Sequence, residues 1–373
     1  MYSESDLANA VEAGVMTQAQ ADAFRNHIAE GRSAPAVDEE HFKLLTGFND
    51  IFVAIATLLI LVAVGWIGAY IGGHTFNIQR GGPVEIGATV STGAFVVAIT
   101  SWLLAEYFTR QRRMALPSIL LLLGFAWGVF AGVGALFAAN TPWLAEQLHI
   151  DLNDEIRMKQ LVGGIAIVVG VITAAATWIH WRRFMVPITA AVGAAALVTV
   201  AIGSIMAFVP GSEDWLNYIV LAAGLIVFTF AMRWDMSDLE RRTRRSDVAF
   251  WLHLLAAPLI AHPIFHMLGV FDGNISIAIA VVVLGLYVAF AFVALAIDRR
   301  ALLVSSLVYV LYAMYSLFES TGAVELSAAL TGLVIGSALL LLSAFWQPVR
   351  RGVVSLLGGL GGSLPPTQQV VTA

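Results

Sequence analysis

The chain has 373 residues, of which 59% are hydrophobic and only 12% are charged, and its formal net charge is −5. A soluble domain carries about 25% charged residues, so this composition, with a mean hydropathy of +0.83, predicts an integral membrane protein. The sequence has no cysteine, which excludes disulfides, thiolate nucleophiles and cysteine-ligated metals. The negative net charge gives no indication of a nucleic-acid partner.

The N-terminal residues 1–31 predict a short cytoplasmic helical hairpin. Its first helix has an apolar face and reaches Gly14, a residue type suited to the end of a helix. Its second helix begins at Thr17, which is spaced to form a capping box with Gln20. Residues 32–48 are interpreted as a linker and a lead-in helix. A hairpin this small buries little area, so we expect it to be marginal alone.

Ten apolar runs of spanning or near-spanning length follow the lead-in. We therefore predict an all-α integral membrane protein with a ten-helix transmembrane domain over residues 49–348. Residues 349–373 are predicted to form a flexible cytoplasmic tail. The ten runs cover residues 51–72, 86–106, 118–138, 161–179, 185–208, 217–233, 248–269, 276–296, 301–319 and 327–346.

The distribution of basic residues predicts the orientation of the chain. If the N-terminus is cytoplasmic, ten spans place 17 of the 20 lysines and arginines inside, and leave outside only Arg80, Arg157 and Lys159. The positive-inside rule favours this arrangement, which makes both termini cytoplasmic. The basic segment RWDMSDLERRTRRSD, residues 233–247, is open to two interpretations: an ordinary positive-inside loop, or a site for anionic lipid headgroups.

The seventh run contains three histidines and two prolines. His262 and His266 share a helical face, and polar residues of the ninth run rise towards the same side of the membrane. Three interpretations are open: hydrogen bonding between helices, a substrate or proton pathway, or metal or haem binding that also draws on His253. The candidate polar site consists of His262, His266, Tyr312, Tyr315 and Glu319.

Small residues at helical spacing form a second pattern. Gly124, Gly128 and Gly132 recur every four residues, and Gly332 and Gly336 repeat the same spacing. Such stripes allow helix backbones to approach closely in a membrane. We predict helix packing at these five glycines, with solute access between the helices as the alternative.

The familiar motifs of soluble enzymes are missing from the sequence. It contains no Walker A loop, no GxSxG elbow and no HExxH. We therefore predict a protein that is not an enzyme, with no catalytic residue, no cofactor and no metal site.

The segments LANAVEAGVMTQAQADAF and HFKLLTGFNDIFVAIA read as a helix, a glycine turn, a second helix and entry into the first span. In these features the first 65 residues resemble a broad bacterial group of predicted multi-pass membrane proteins of unknown function. The resemblance implies location in the bacterial cytoplasmic membrane and transfers no catalytic residue.

Three functional hypotheses follow from these patterns. The first is a non-enzymatic membrane protein whose partners are the lipid bilayer and a protein bound by the hairpin. The second is a secondary transporter of a small neutral or amphipathic solute, built as two five-helix halves. The third is intramembrane metal or haem binding through the histidines. The sequence leaves the oligomeric state open.

Overall fold

The computed structural model describes residues 4–32, 48–75, 82–239, 241, 243–271, 276–320, 324–359 and 364–365. Within these ranges the chain is all-α, without strands. The helices of this described part are α1 Glu4–Glu12, α2 Gln18–Arg32, α3 Phe48–Thr75, α4 Pro83–Ala105, α5 Ala115–Ala139, α6 Thr141–Gln147, α7 Glu155–Phe184, α8 Ile188–Phe208, α9 Leu216–Met236, α10 Arg244–Met267, α11 Ile277–Ile297, α12 Ala301–Ser320, α13 Val324–Ala344 and α14 Trp346–Leu356.

Each of the ten predicted apolar runs coincides with one helix, namely α3 to α5 and α7 to α13. In the described residues, eight helices are long and apolar enough to cross a membrane. The pair α13 and α14 adds a ninth if it is counted as one bent span, and α12 contributes a shorter apolar stretch, Leu302–Tyr315. The described residues thus contain eight to nine candidate spans, where the sequence predicts ten.

The first residues of the predicted tail, 349–356, are helical. Helix α14 follows α13 after a bend of 76° and continues to Leu356. Its buried residues Trp346, Arg350 and Val353 recur at helical spacing, so one face of α14 packs against the protein.

The described residues group into two compact units. Unit 1 comprises Met1–Phe42, Arg233–Ser246 and Asn274–Ala373, and unit 2 comprises Lys43–Met232 and Asp247–Gly273. Unit 1 holds the hairpin, the connection between α9 and α10, and helices α11 to α14. Unit 2 holds α3 to α8 and most of α9 and α10.

The sequence features of the hairpin are present in unit 1. Gly14 has a φ of +70°, the left-handed conformation that glycine adopts without a steric penalty. The Thr17 amide donates to Gln20 Oε1 at 2.8 Å, and the Gln20 amide donates to Thr17 Oγ1 at 3.3 Å. These reciprocal hydrogen bonds confirm the predicted capping box.

Close helix contacts in unit 2 lie at glycines. A Cβ atom added at Gly128 of α5 would lie 2.5 Å from the carbonyl oxygen of Ala94 in α4. A Cβ at Gly163 of α7 would lie 2.7 Å from the carbonyl oxygen of Gly203 in α8. Only a glycine permits such approach, so the pairs α4–α5 and α7–α8 pack backbone against backbone.

Candidate functional site

The structure places His262 and His266 side by side on α10. Their ring centroids are 6.1 Å apart, and Phe271 lies near both rings. Both histidines are exposed on the surface of the protein, and Nδ1 of His266 is 3.2 Å from the Asn217 amide nitrogen on α9. His253 is fully buried and meets the ring of Phe228 edge-on at 5.2 Å.

The other residues of the candidate polar site lie on α12 in unit 1. Tyr312 and Tyr315 are 39% and 40% exposed, and the side chain of Glu319 lies outside the described residues. In the described part of the chain, no three His, Cys, Asp or Glu residues are grouped to hold a metal ion. A zinc site needs three or four ligands, and the described residues place only the two histidines together here.

The predicted glycine stripes differ in their surroundings. Around Gly124, Gly128 and Gly132, an added Cβ would lie within 3.0 Å of residues on α3 or α4. At Gly332 and Gly336 no atom of the described residues comes within 4 Å of such a Cβ. The first stripe faces a helix at close range, whereas the second has open space at both positions.

Unit 1 contains a set of buried charged side chains, which we call the ion-pair cluster. Their side-chain exposure is at most 3%. Burying charges is costly unless each is paired and hydrogen-bonded, so the contacts within the set decide its stability. The cluster consists of Asp235, Arg241, Asp298, Arg299 and Arg350.

Asp235 and Arg299 form the centre of the ion-pair cluster. Arg299 donates from Nε to Asp235 Oδ2 at 3.1 Å and from an NH2 group to Oδ1 at 2.6 Å. The same NH2 group donates to the carbonyl and hydroxyl oxygens of Ser246, both at 3.2 Å. A two-pronged pairing of this kind is the strongest geometry for an arginine and a carboxylate.

Asp298 forms the second carboxylate of the cluster, at the end of α11. It has a φ of +57°, which aspartate tolerates better than most residues, and this turns the chain into α12. Its Oδ1 accepts a 2.7 Å hydrogen bond from the indole of Trp346. Burial raises the pKa of the Asp298 carboxyl, while the nearby charge of Arg350 lowers it. The charge of this carboxylate therefore depends on its cationic neighbours.

The two remaining arginines connect Asp298 to other segments. Arg241 donates to the Ile297 carbonyl at 3.0 Å and lies 3.5 Å from Asp298 Oδ2. Arg350 of α14 has Nε 3.5 Å from Asp298 Oδ1 and donates to the Pro365 carbonyl at 2.5 Å. The cluster thus ties four stretches of chain together: the end of α9 with its connection to α10, the α11–α12 turn, α14 and the segment at Pro365.

The sequence patterns place these arginines correctly near helix ends but miss their role. The positive-inside interpretation treats them as exposed anchors, and the alternative for residues 233–247 is a lipid headgroup site. The structure instead buries Arg241 and Arg299 against carboxylates. The signal that points to this is an aspartate at the end of an apolar run beside basic residues, as in RWD and DRR.

A buried histidine in unit 2 was also missed by the sequence patterns. His180 of α7 is 1% exposed, and its ring lies 5.9 Å from Trp102, 5.5 Å from Phe125 and 4.6 Å from Phe184. Its Nδ1 is 3.4 Å from Thr189 Oγ1. In the described residues, Nε2 has no hydrogen-bond partner. Phe184 is one turn from His180 on the same helix, whereas Trp102 and Phe125 come from α4 and α5, and sequence spacing does not reveal those two.

Comparison with family models, with curated proteins and with solved structures finds no match to this chain. The class of the protein therefore follows from its own helices. It is an all-α protein with several helices long and apolar enough to span a membrane, as in multi-pass membrane proteins. No family model supports the resemblance of its first 65 residues to a bacterial group, so the chain is not assigned to that group.

Proposed function

We propose that this chain is a non-enzymatic multi-pass protein of the bacterial cytoplasmic membrane that binds a protein partner through its N-terminal hairpin. The ion-pair cluster is the observation that supports this proposal. Buried ion pairs contribute little net stability, and fixing one arrangement of the chain is a better-attested use. A fixed arrangement suits recognition, because a preorganised surface loses less entropy on binding.

The hairpin shares unit 1 with the cluster. Its turn is preformed by Gly14 and by the capping box that starts α2. Val15, at the tip of the turn, is 80% exposed, and Phe24 on α2 is 39% exposed. These two apolar side chains give a partner something to bury, while Leu7 and Ala21 are already buried.

The test is photocrosslinking from the tip of the hairpin. With a photoreactive phenylalanine analogue at Val15 of the full chain in bacterial membranes, we expect one protein adduct of defined mass. The adduct should weaken at least severalfold when Phe24→Asp is added, because that change places a charge in the apolar contact. The matched control carries the analogue at Asn153, an exposed residue of a different loop.

Two outcomes would contradict this proposal. If the adducts at Val15 contain only lipid or a second copy of this chain, the hairpin does not bind another protein. The same adduct from Asn153 would show that the capture is not specific to the hairpin. A thermal unfolding profile unchanged by the analogue shows that the hairpin itself is intact, as expected for an exposed position.

The second candidate function is transport of a small neutral or amphipathic solute. The ion-pair cluster favours it as well, because ion pairs that break and re-form are one way in which membrane helices switch between states. In this use the cluster is a latch that opens during each cycle rather than a permanent brace.

Single-cysteine labelling separates the two candidates, since the chain has no cysteine of its own. Cysteine is placed in turn at Leu259, His262, His266, Tyr312 and Tyr315 and treated from outside with a membrane-impermeant maleimide. We expect labelling to stop at His266. Leu259 packs against the α9 backbone, because a Cβ at Gly224 would lie 2.8 Å from its carbonyl carbon. Strong labelling at 259 or 312 would instead indicate a water-filled path and favour transport.

A further inference from the structure

An open groove lies in unit 2 where α5, α6 and α7 meet. Its volume is about 630 Å³, within the range of sites that hold small molecules. Eight of its ten lining residues are apolar or glycine. The lining residues are Phe137, Leu144, Leu148, Ile150, Arg157, Gln160, Leu161, Gly164, Ile165 and Val168.

The polar groups of the groove have hydrogen-bonding capacity to spare. Arg157 contacts a single carboxylate, with Nε 3.5 Å from Asp154 Oδ2. That carboxylate also caps α7 by accepting from the Arg157 amide. In the described part of the chain, the side-chain amide of Gln160 makes no hydrogen bond. Two adjacent donors, the Arg157 guanidinium and the Gln160 side-chain amide, are therefore available to a ligand with an acceptor group.

Two other carboxylates near this end of α7 already have a cation. Lys159 lies 2.9 Å from Glu155 and 2.7 Å from Glu213, so both of those carboxylates have a cation. Arg157 is the one basic residue in the groove lining. A ligand with an apolar body and an anionic end matches this distribution of charge.

The floor of the groove is open at Gly164. No atom of the described residues lies within 4 Å of a Cβ built at this glycine. A chain of methylene groups can therefore lie against the α7 backbone. In a bilayer the binding of such a chain depends on packing and on the headgroup.

We propose that this groove binds an anionic phospholipid. One acyl chain lies along Gly164 and the leucine and isoleucine side chains, and the phosphate accepts hydrogen bonds from Arg157 and Gln160. Helix α6 supports a location at the membrane interface, since its Trp143 is 58% exposed, as is usual for tryptophan at the headgroup level. This site lies apart from the hairpin and does not depend on the function proposed for it.

The test uses phosphatidylglycerol with a photoreactive group in its acyl chain, added to the purified full chain in detergent. Mass spectrometry of the digested protein maps the adducts. We expect adducts on groove residues, and about tenfold more competition by unlabelled phosphatidylglycerol than by phosphatidylcholine of the same acyl chains. Both lipids carry a phosphate, so this preference comes from the trimethylammonium group of phosphatidylcholine, which cancels the headgroup charge and is repelled by Arg157. A tenfold difference is about 1.4 kcal/mol.

Two pairs of variants locate the headgroup and the acyl chain. Arg157→Gln should weaken labelling about tenfold, whereas Lys159→Gln, which removes a neighbouring charge outside the lining, should not. Gly164→Leu should fill the groove and abolish the adducts. Gly134→Leu is its control, because Gly134 also has no described atom within 4 Å of an added Cβ and does not line the groove.

Clear results would overturn the proposal. Equal competition by both lipids with an unchanged Arg157→Gln variant would mean an ordinary shell of bilayer lipid. Unchanged adducts in a folded Gly164→Leu variant would place the acyl chain elsewhere. If Gly164→Leu does not fold, Arg157→Gln still distinguishes the outcomes. Thermal unfolding shows whether each variant is folded.

Discussion

Replacing Arg299 with leucine is expected to lower the free energy of unfolding by about 3–5 kcal/mol, the usual cost of removing one partner of a buried ion pair. The cause is the Asp235 carboxylate, which is buried and would lose its two short hydrogen bonds from Arg299. An unfolding titration in mixed micelles, followed by circular dichroism, measures the difference.

Arg300 provides a matched control one residue away. It is exposed, and its guanidinium lies 4.7 Å from the ring centroid of Trp346. Such a cation–π contact at an exposed site contributes about 0.5–1 kcal/mol, and the charge of Arg300 also favours the ionised Asp298 carboxyl, so Arg300→Leu should cost less than Arg299→Leu. If the arginines served only as positive-inside anchors, the two variants would have similar effects, and this outcome would contradict a structural role for the cluster.

The double variant Asp235→Leu with Arg299→Leu tests whether the cost comes from an orphaned charge. With both charges removed, the loss should be smaller than the sum of the two single losses, because neither charge remains buried without its partner. A purely additive result would mean that Asp235 and Arg299 stabilise the protein through separate contacts. The double variant also lacks the hydrogen bonds from Arg299 to Ser246. Its free energy of unfolding should therefore stay below that of the unchanged protein.

The helices of this protein follow from its sequence because each apolar run is long and the segments between runs are charged or contain glycine and proline. The position of α12 is predicted, whereas its candidacy as a span is weaker in the structure. The bend before α14 was not predicted. The segment around Trp346 and Arg350 is polar enough to resemble a tail. Two residues of its buried face, Trp346 and Arg350, contact Asp298, which lies 48 residues or more away in the sequence.

The candidate sites were less predictable, for a physical reason. Spacing along one helix correctly suggests that His262 and His266 share a face, and their rings are 6.1 Å apart. Spacing says nothing about partners 50 or more residues away, such as Arg299 for Asp235. Charge counting sorts residues between the two sides of a membrane, and it does not distinguish an arginine in solvent from one buried against a carboxylate.

The glycine motifs make the same point, because the same spacing occurs in two different surroundings. Gly124, Gly128 and Gly132 face residues of neighbouring helices, whereas Gly332 and Gly336 have no described atom close to an added Cβ. A sequence motif specifies the face of a helix, and only the tertiary structure specifies what that face meets. The two stripes can therefore be separated by experiment.

Gly128→Ala is expected to destabilise the protein by about 1–3 kcal/mol, the usual cost of overpacking a core. The new methyl group would lie 2.5 Å from the Ala94 carbonyl oxygen and 2.8 Å from the Ala98 amide nitrogen. Both are backbone atoms of α4, so no side chain can rotate away. The two helices would have to separate, and their other close contacts would lengthen with them.

Gly332→Ala is the matched control, because it makes the same substitution on a helix with no described atom within 4 Å of the new methyl group. Alanine is favoured over glycine in a helix interior by up to about 1 kcal/mol, and both variants gain this contribution. Gly332→Ala should therefore be neutral or stabilising while Gly128→Ala is destabilising. The same micellar unfolding titration compares them.

A compensating variant shows where the strain at position 128 arises. Adding Ala98→Gly to Gly128→Ala removes the methyl group of Ala98, which would lie 2.9 Å from the new one, but leaves the Ala94 carbonyl at 2.5 Å. Recovery should therefore be partial. Full recovery would mean that the contact is between side chains, and a neutral Gly128→Ala variant would mean that α4 and α5 are not held at backbone contact. Either result would remove the physical basis for assigning this stripe to helix packing.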